Sequence, residues 1–581
     1  MVSKQAVRWI AFITALNCGA VLALTQCSSF EGLRPQPQQA ASDSRLGSYL
    51  AGRFAVSERD PRAAALYFKS ALKFDPENPA LLERVMLSEV ANGKIDDAAT
   101  HAETLLARIP DAKLPNLVIG VRALRDAGYA KARQALSRIR DNPAAEIAAK
   151  VGVAYSHYAE GNIEAAGTTL TSLVDSGATR AFALYHLALI KDLSGKQAEA
   201  LKDFEEANRL SGGESLRILE AYGNHLAKMG RTAQAREVFE TFLQRLPDNP
   251  IISRDLARLE AGQPPERIVT NARQGMAETL YGIAASVADE KAFDVPVFYL
   301  QLALALDPGH EMSLSLLGDR LESVERYEEA IAVYERVPPT SAVHASMRQQ
   351  IAQNLQRLER PDEAIRVLKA ALNGTKDDLR TYAGIADVQR AEERFEDAVE
   401  NYSKAIALVK KPEERHWLLF YTRGIAYERA KRWQESEADL KLSLKLKPEN
   451  PGVMNYLAYS WVDRGVNVPE ALAMLKRAVA MRPEDGFIVD SLGWAYFKLG
   501  QYDEAVKYLE QAILLEPGLA AINDHLGDAY WKVGRHNEAR FQWQHALTMK
   551  PEKDEEPRIR RKLEVGLGEV ASGPSTEEKK N

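Results

Sequence analysis

Apolar side chains recur along this chain at helical spacing, and the helical stretches themselves return every 34 residues. The repetition is plainest from Asp485 to Pro551, which reads DGFIVDSLGWAYFKLGQYDEAVKYLEQAILLEP and then GLAAINDHLGDAYWKVGRHNEARFQWQHALTMKP. Laid on one another, Gly493 meets Gly527, Tyr496 meets Tyr530, Gly500 meets Gly534, Ala505 meets Ala539, Ala512 meets Ala546 and Pro517 meets Pro551. One pair of helices cannot bury its apolar face alone, so self-similarity at this period predicts helical hairpins stacked into a solenoid.

Each position of the unit has a physical reason. Small residues at the eighth and twentieth positions let two antiparallel helices approach closely, and a bulky residue at the twenty-fourth fills the groove that remains. Glycine at the fifteenth position, Gly500 and Gly534, suits the left-handed turn at a helix end. The closing proline cannot donate into a helix and stops the second one. This pattern resembles the tetratricopeptide repeat (TPR) family. The resemblance implies an all-α superhelical solenoid that binds other polypeptides.

Carried along the chain from Ser44, the twentieth position falls at Ala64, Ala98, Ala132, Ala166, Ala200, Ala235, Pro296, Ala330, Ala364, Ala398, Ser436, Ala471, Ala505 and Ala539. Twelve of these fourteen are alanine, which predicts about fourteen repeats, with Ala132 and Pro296 marking the weakest. Matching eighth and twenty-fourth positions include Gly52 with Phe68, Ala188 with Phe204, Gly223 with Phe239, Gly318 with Tyr334 and Gly424 with Leu440. Between Ala235 and Pro296 the clock slips by 27 residues, and Pro264 and Pro265 forbid a continuous helix there. A hinge at 250–276 is expected, dividing an N-terminal array (44–249) from a C-terminal one (277–551). A smaller slip at KKPEER predicts one lengthened loop between Ala398 and Ser436. After Pro551, residues 552–566 predict a capping helix, and 567–581 lack any apolar period and predict a disordered tail.

The first 27 residues differ from all this. Lys4 and Arg8 precede an apolar run from Trp9 to Leu24, too short for a bilayer span and ordered like a secretory leader. LTQCSS, Leu24 to Ser29, resembles a bacterial lipobox, which implies lipidation of Cys27 and, with serines following, the outer membrane; Gln26 departs from the small residue that motif prefers. Residues 28–43, rich in Pro, Gln and Ser, form a tether with a mean reach of about 20 Å. The expected place is the periplasmic face of the envelope, held to a membrane through the N-terminal lipid or leader only.

Composition narrows the function classes. A net charge of -6 without a dense Lys/Arg block argues against nucleic acid. Cys18 and Cys27 are the only cysteines, so the array has no disulfide or thiolate metal site and must hold by packing. No motif of a metalloprotease, a serine hydrolase or a nucleotide-binding fold occurs in a fitting context, and no cofactor is implied. His525, His536 and His545 are spaced 11 and 9 apart and do not share a helical face. Asp490 and Asp524 hold the same place in consecutive repeats and are candidates for an acid/base pair, but a polar groove lining explains them better. The expectation is a protein that is not an enzyme.

In the TPR family the first helix of each unit lines the concave surface through its second, fifth, ninth, twelfth and thirteenth positions. The resemblance thereby implies a partner groove of Phe487, Asp490, Trp494, Phe497 and Lys498, then Asp524, Asp528, Trp531 and Lys532, preceded by Asn455 and Tyr459 and by Tyr421 and Arg429. Rigid aromatics flanked by charges suit peptide binding. Asp490 and Asp524 at fifth positions would repel a terminal carboxylate. The segments 455–465, 485–505 and 522–543 resemble exported bacterial TPR proteins related to LbcA-type outer-membrane lipoproteins, which bind a carboxyl-terminal processing protease. That resemblance implies an adaptor for such a protease; the alternative is a scaffold for envelope assembly, in polysaccharide export or cell-wall synthesis. If Cys27 carries a lipid, Cys27→Ala is expected to change the mature mass and to abolish partition into detergent; an unchanged mass would remove the anchor.

Overall fold

In a computed structural model the described residues are 44–287, 292–372, 378–552 and 555–567. Residues 1–43, with the leader, Cys27 and the tether, and the tail beyond 567 lie outside them. Thirty α-helices and one 3-10 turn, Glu414–His416, make up the secondary structure, and no strand occurs among the described residues. Twenty-eight of the helices pair as fourteen antiparallel hairpins, the number expected, and Pro250–Glu260 and Glu555–Val565 stand alone. None of these helices is long and apolar enough to cross a membrane.

The hairpins form for the reasons the repeat pattern suggests. A Cβ on Gly52 would lie 2.6 Å from Phe68, on Gly223 2.2 Å from Phe239, on Gly318 2.1 Å from Tyr334 and on Gly527 2.5 Å from Trp543. In these four hairpins the approach excludes any residue larger than glycine at the eighth position. The alanines at the twentieth position are fully buried, from Ala64 to Ala539. Helices often start on an Asn-Pro step, at the first helices capped by Asn78, Asn142 and Asn450 and at the lone helix capped by Asn249, where the asparagine side chain accepts from the first-turn backbone and the proline needs no donor. Gly500 and Gly534 turn with φ of 74° and 82°. The two weak repeats show their weakness locally. Tyr129–Leu136, carrying Ala132, is only 8 residues long, and Pro296 sits in the first turn of Asp294–Leu306, where proline is tolerated. The slip at KKPEER becomes the long connection from Phe395–Ala407 to Trp417–Arg429 that contains the 3-10 turn.

The chain divides differently from the expectation. Two compact units meet after Lys376, Pro35–Lys376 and Asp377–Asn581, and not at 250–276. Pro250–Glu260 is a helix packed on Leu216–Lys228 and Thr232–Arg245, and residue 277 falls inside Ala272–Ala285. The proline pair does break the helix, but the chain after it folds back into the same unit. Ala272–Ala285 packs on Pro143–Ala159, and its partner Asp294–Leu306 packs on Pro79–Ala91 and Lys113–Arg125. This hairpin covers the face that successive first helices present. Glycines mark the approach: a Cβ on Gly275 would meet Tyr155 at 2.1 Å, and on Gly282 Phe182 at 2.7 Å.

Its buried carboxylate is fully matched. Glu278, 2% exposed, accepts from Tyr185 Oη at 3.0 Å and from Arg217 Nε and Nη2 at 2.9 and 2.7 Å, and His310 Nε2 lies 3.1 Å away. Burial alone would raise its pKa, but the Arg217 charge and these bonds hold it well below the usual range. Glu220, which shares Arg217, is pushed up to about 7 by burial, only partly offset by that guanidinium. Further along, Arg326 Nη1 donates to the Arg59 carbonyl at 3.0 Å, bringing the eighth hairpin beside the first. Gly318→Val is expected to cost about 1–3 kcal/mol through overpacking against Tyr334. Urea unfolding should show this loss, while Gly177→Ala, which meets nothing within 4 Å, leaves the midpoint unchanged.

Candidate partner-binding surface

Within Asp377–Asn581 the first helices Pro451–Asp463, Gly486–Lys498 and Ala520–Lys532 lie side by side, each backed by its own second helix. Their heptad-like spacing puts one face of each toward its hairpin partner and leaves another for the surface. Asn455, Tyr459, Phe487, Trp494 and Phe497 are all half-buried there. Trp494 is sandwiched, with its ring centroid 4.8 Å from Phe497 and 4.1 Å from His525, and Lys498 Nζ stands 5.1 Å over it. Trp494 Nε1 and Asn455 Oδ1 are enclosed with no hydrogen-bond partner among the described residues, one a donor and the other an acceptor. Lys498 is exposed, 3.8 Å from Asp463.

One of the expected groove residues sits in the core. Tyr421 is buried in the core beside Trp417 and Tyr456, because it packs between consecutive first helices. Arg429 is exposed and rests over Phe395 at 5.2 Å, with Glu393 at 3.8 Å. Asp490 and Asp524 are each engaged separately. Asp490 Oδ1 lies 3.0 Å from His525 Nδ1, and Asp524 takes Lys562 Nζ at 2.7 and 2.8 Å. The two carboxylates therefore face different partners. His545 Nδ1 lies 2.9 Å from Asn523 and His536 stacks on Trp531, so the three histidines occupy three different places. Among the described residues no group of three or more His, Cys, Asp or Glu side chains is placed to hold a metal.

The last hairpin is covered by the chain itself. Lys562, from Glu555–Val565, bridges Asp524 and Asp528, and Asp528 Oδ1 also accepts from Trp543 Nε1 at 2.9 Å. Gly566 presses on Trp531, where a Cβ would lie 2.1 Å from the indole. Asp524, Asp528 and Trp531 are thus engaged inside the molecule, and Lys532 remains exposed. The sequence predicts a capping helix at 552–566, and a helix forms at Glu555–Val565, but the sequence does not say which carboxylates its lysine meets.

Tetratricopeptide repeat families match residues 221–266, 383–451, 491–519 and 520–553. A TPR repeat-containing protein of Pseudomonas aeruginosa is 27% identical over 191 residues, which cover 32% of this chain and 31% of that protein. The match therefore spans about a third of the relative's length. Among solved structures, the Cut9–Hcn1 hetero-tetramer of APC/C is 14% identical over 91% of this chain and 98% of that one, with a TM-score of 0.39. A tetratricopeptide repeat protein from Parabacteroides merdae is 18% identical over 42% and 92%, with a TM-score of 0.34. At those scores the likeness says nothing of function. The chain carries tetratricopeptide repeats, a fold suited to binding other polypeptides.

The pairing of His525 has a consequence for stability. Burial lowers the pKa of the imidazole, but the Asp490 charge and hydrogen bond, with Asp524 and Asp528 nearby, raise it above the ordinary value. A group raised in the folded state stabilises below its unfolded pKa and loses that contribution as pH rises through the folded one. Relative to His525→Gln, the wild-type chain is expected to be more thermostable near pH 6 than near pH 8. Parallel melting curves across that range would expose the error if the difference were flat.

Proposed function

We propose that this chain is a non-enzymatic scaffold of the bacterial envelope that docks protein partners on the first helices of its C-terminal hairpins. A carboxyl-terminal processing protease is the most specific candidate. What carries this reading is the row of half-buried aromatics, Tyr459, Phe487, Trp494 and Phe497, on adjacent rigid helices with Asn455 and Lys498 beside them. Such side chains bury large area at little entropic cost, and the flanking polar groups set register. The leader and the lipobox-like LTQCSS support export and anchoring, and the tether supports a position just off a membrane. The protease rests on the resemblance of the C-terminal repeats to LbcA-type lipoproteins.

Affinity purification of the full chain from detergent-solubilised envelope is expected to recover such a protease. Replacing Tyr459 and Phe487 by alanine together should weaken recovery by about thirty-fold, the loss of roughly 2 kcal/mol expected for a hot-spot aromatic. Recovery of polysaccharide-export or cell-wall enzymes with no protease would transfer the reading to an assembly scaffold.

A further inference from the structure

The contact between Glu555–Val565 and the last hairpin has the chemistry of a ligand in a site. Asp524 and Asp528 stand four residues apart on one helix, so both carboxylates face the same point. Lys562 Nζ fills that point, with bonds of 2.7 and 2.8 Å to the two oxygens of Asp524 and 2.8 Å to Asp528 Oδ2. These use the three donors of a primary ammonium, and the planar fork of arginine does not reproduce them. The lysine is 8% exposed and Asp528 4%, while the Asp524 side chain keeps 16% of its surface. Burial and the Asp524 charge push Asp528 up to about 6 even with Lys562 in place. Four residues after the lysine, Gly566 lies flat on Trp531, where no side chain fits.

Beyond the lysine, the helix is held by a short apolar contact and by Arg540 Nη1, which donates to the Leu563 carbonyl at 2.6 Å. Of the 11 residues in Glu555–Val565 only Ile559 and Lys562 are buried, and Leu563 and Leu567 complete the apolar contact. We propose that Asp524, Asp528 and Trp531 form a lysine-reading docking site, that the chain's own C-terminal helix occupies it as an internal ligand, and that a partner polypeptide binds by supplying a lysine-bearing amphipathic helix in its place. This rests on the reading of the chain as a polypeptide-binding scaffold, and it adds the chemistry of one partner segment. A second copy of the chain is a poor competitor. Its helix would make the same contacts as the resident one while lacking the advantage of being tethered beside the site. A partner displaces the resident helix by extending beyond it, toward Asp490 and the Trp494 aromatics on the neighbouring helix.

The test uses the full chain and, as probe, a labelled synthetic peptide of residues 555–567, EEPRIRRKLEVGL. Lys562→Ala frees the site, so this variant is expected to bind the peptide at least about ten-fold more tightly than the wild type. Adding Asp524→Asn and Asp528→Asn should erase the gain, as should alanine in place of the peptide's lysine. A folded Lys562→Ala chain with no gain overturns the proposal. If that variant fails to fold, native-state hydrogen exchange of the wild type decides. Amides of 555–567 exchanging well before those of His536–Thr548 support a displaceable helix, and exchange of both together makes the helix a fixed cap and overturns it. A doubled mass of Lys562→Ala in light scattering would assign the site to a second copy and overturn the partner reading. The probe is the chain's own sequence, so failure of the protease pull-down leaves this readout intact, and failure here leaves the Tyr459 and Phe487 row untouched.

Discussion

Close approach of the two helices in each hairpin is the constraint on which everything else rests. In most hairpins glycine or alanine at the eighth position and alanine or serine at the twentieth bring the backbones near enough for one large side chain to close the gap; the exceptions are Met86 at an eighth position, facing Ala102, and Pro296 at a twentieth. Phe68, Phe239, Tyr334 and Trp543 do so in different hairpins, and each lies against a glycine whose Cβ would collide with it. Because the knob differs in size while the small residues stay, the hairpin geometry is preserved as the chemistry of its filling changes. A repeat made this way still has an unburied apolar face, so hairpins stack, and the long array follows from the local fit.

Stacking in turn creates a face lined by first helices; in Pro35–Lys376 the chain covers part of that face with its own hairpin, while in Asp377–Asn581 the C-terminal helix packs chiefly on His536–Thr548, the second helix of the last hairpin. In Pro35–Lys376 the hairpin of Ala272–Ala285 and Asp294–Leu306 lies on earlier first helices, with Glu278 inside and satisfied by Arg217, Tyr185 and His310. In Asp377–Asn581 the C-terminal helix lies on the last hairpin through Lys562. Both contacts place a charge where water is excluded, and both supply the opposite charge with several hydrogen bonds. Removing one partner of such a pair leaves a buried charge unmatched, at a cost of about 3–5 kcal/mol. The two contacts differ in scale. The internal hairpin is buried along its length, whereas the terminal helix turns most of its residues to solvent.

The remaining surface, around Asn455, Tyr459, Phe487, Trp494 and Phe497, combines half-buried aromatic area with an enclosed donor and an enclosed acceptor. The aromatics sit on helices fixed by their own hairpins, so little ordering entropy is lost on binding. The acids that might have served as a catalytic pair are already committed, Asp490 to His525 and Asp524 to Lys562. Scaffold proteins act through such faces, and the aromatic row and the acidic site beside it lie on neighbouring helices of one unit.

The amino-acid sequence by itself determined the all-helical class, the fourteen hairpins and the residues that close each one, because those depend on contacts within about 34 residues that every repeat reports again. It also exposed the break at Pro264 and Pro265, since proline acts on its own backbone wherever it lies. What followed that break was decided only in three dimensions. Whether the next hairpin continues a stack or folds back on helices more than 100 residues earlier depends on the shape of the superhelix, which no single repeat encodes. The candidate site divides the same way. The family resemblance implied a groove of Asn455, Tyr459, Phe487, Trp494 and Phe497, which are half-buried, but Tyr421 went to the core, and Asp524 and Asp528 found their cation 38 and 34 residues away. Helical period assigns a side chain to a face; what covers that face is settled by the folded chain.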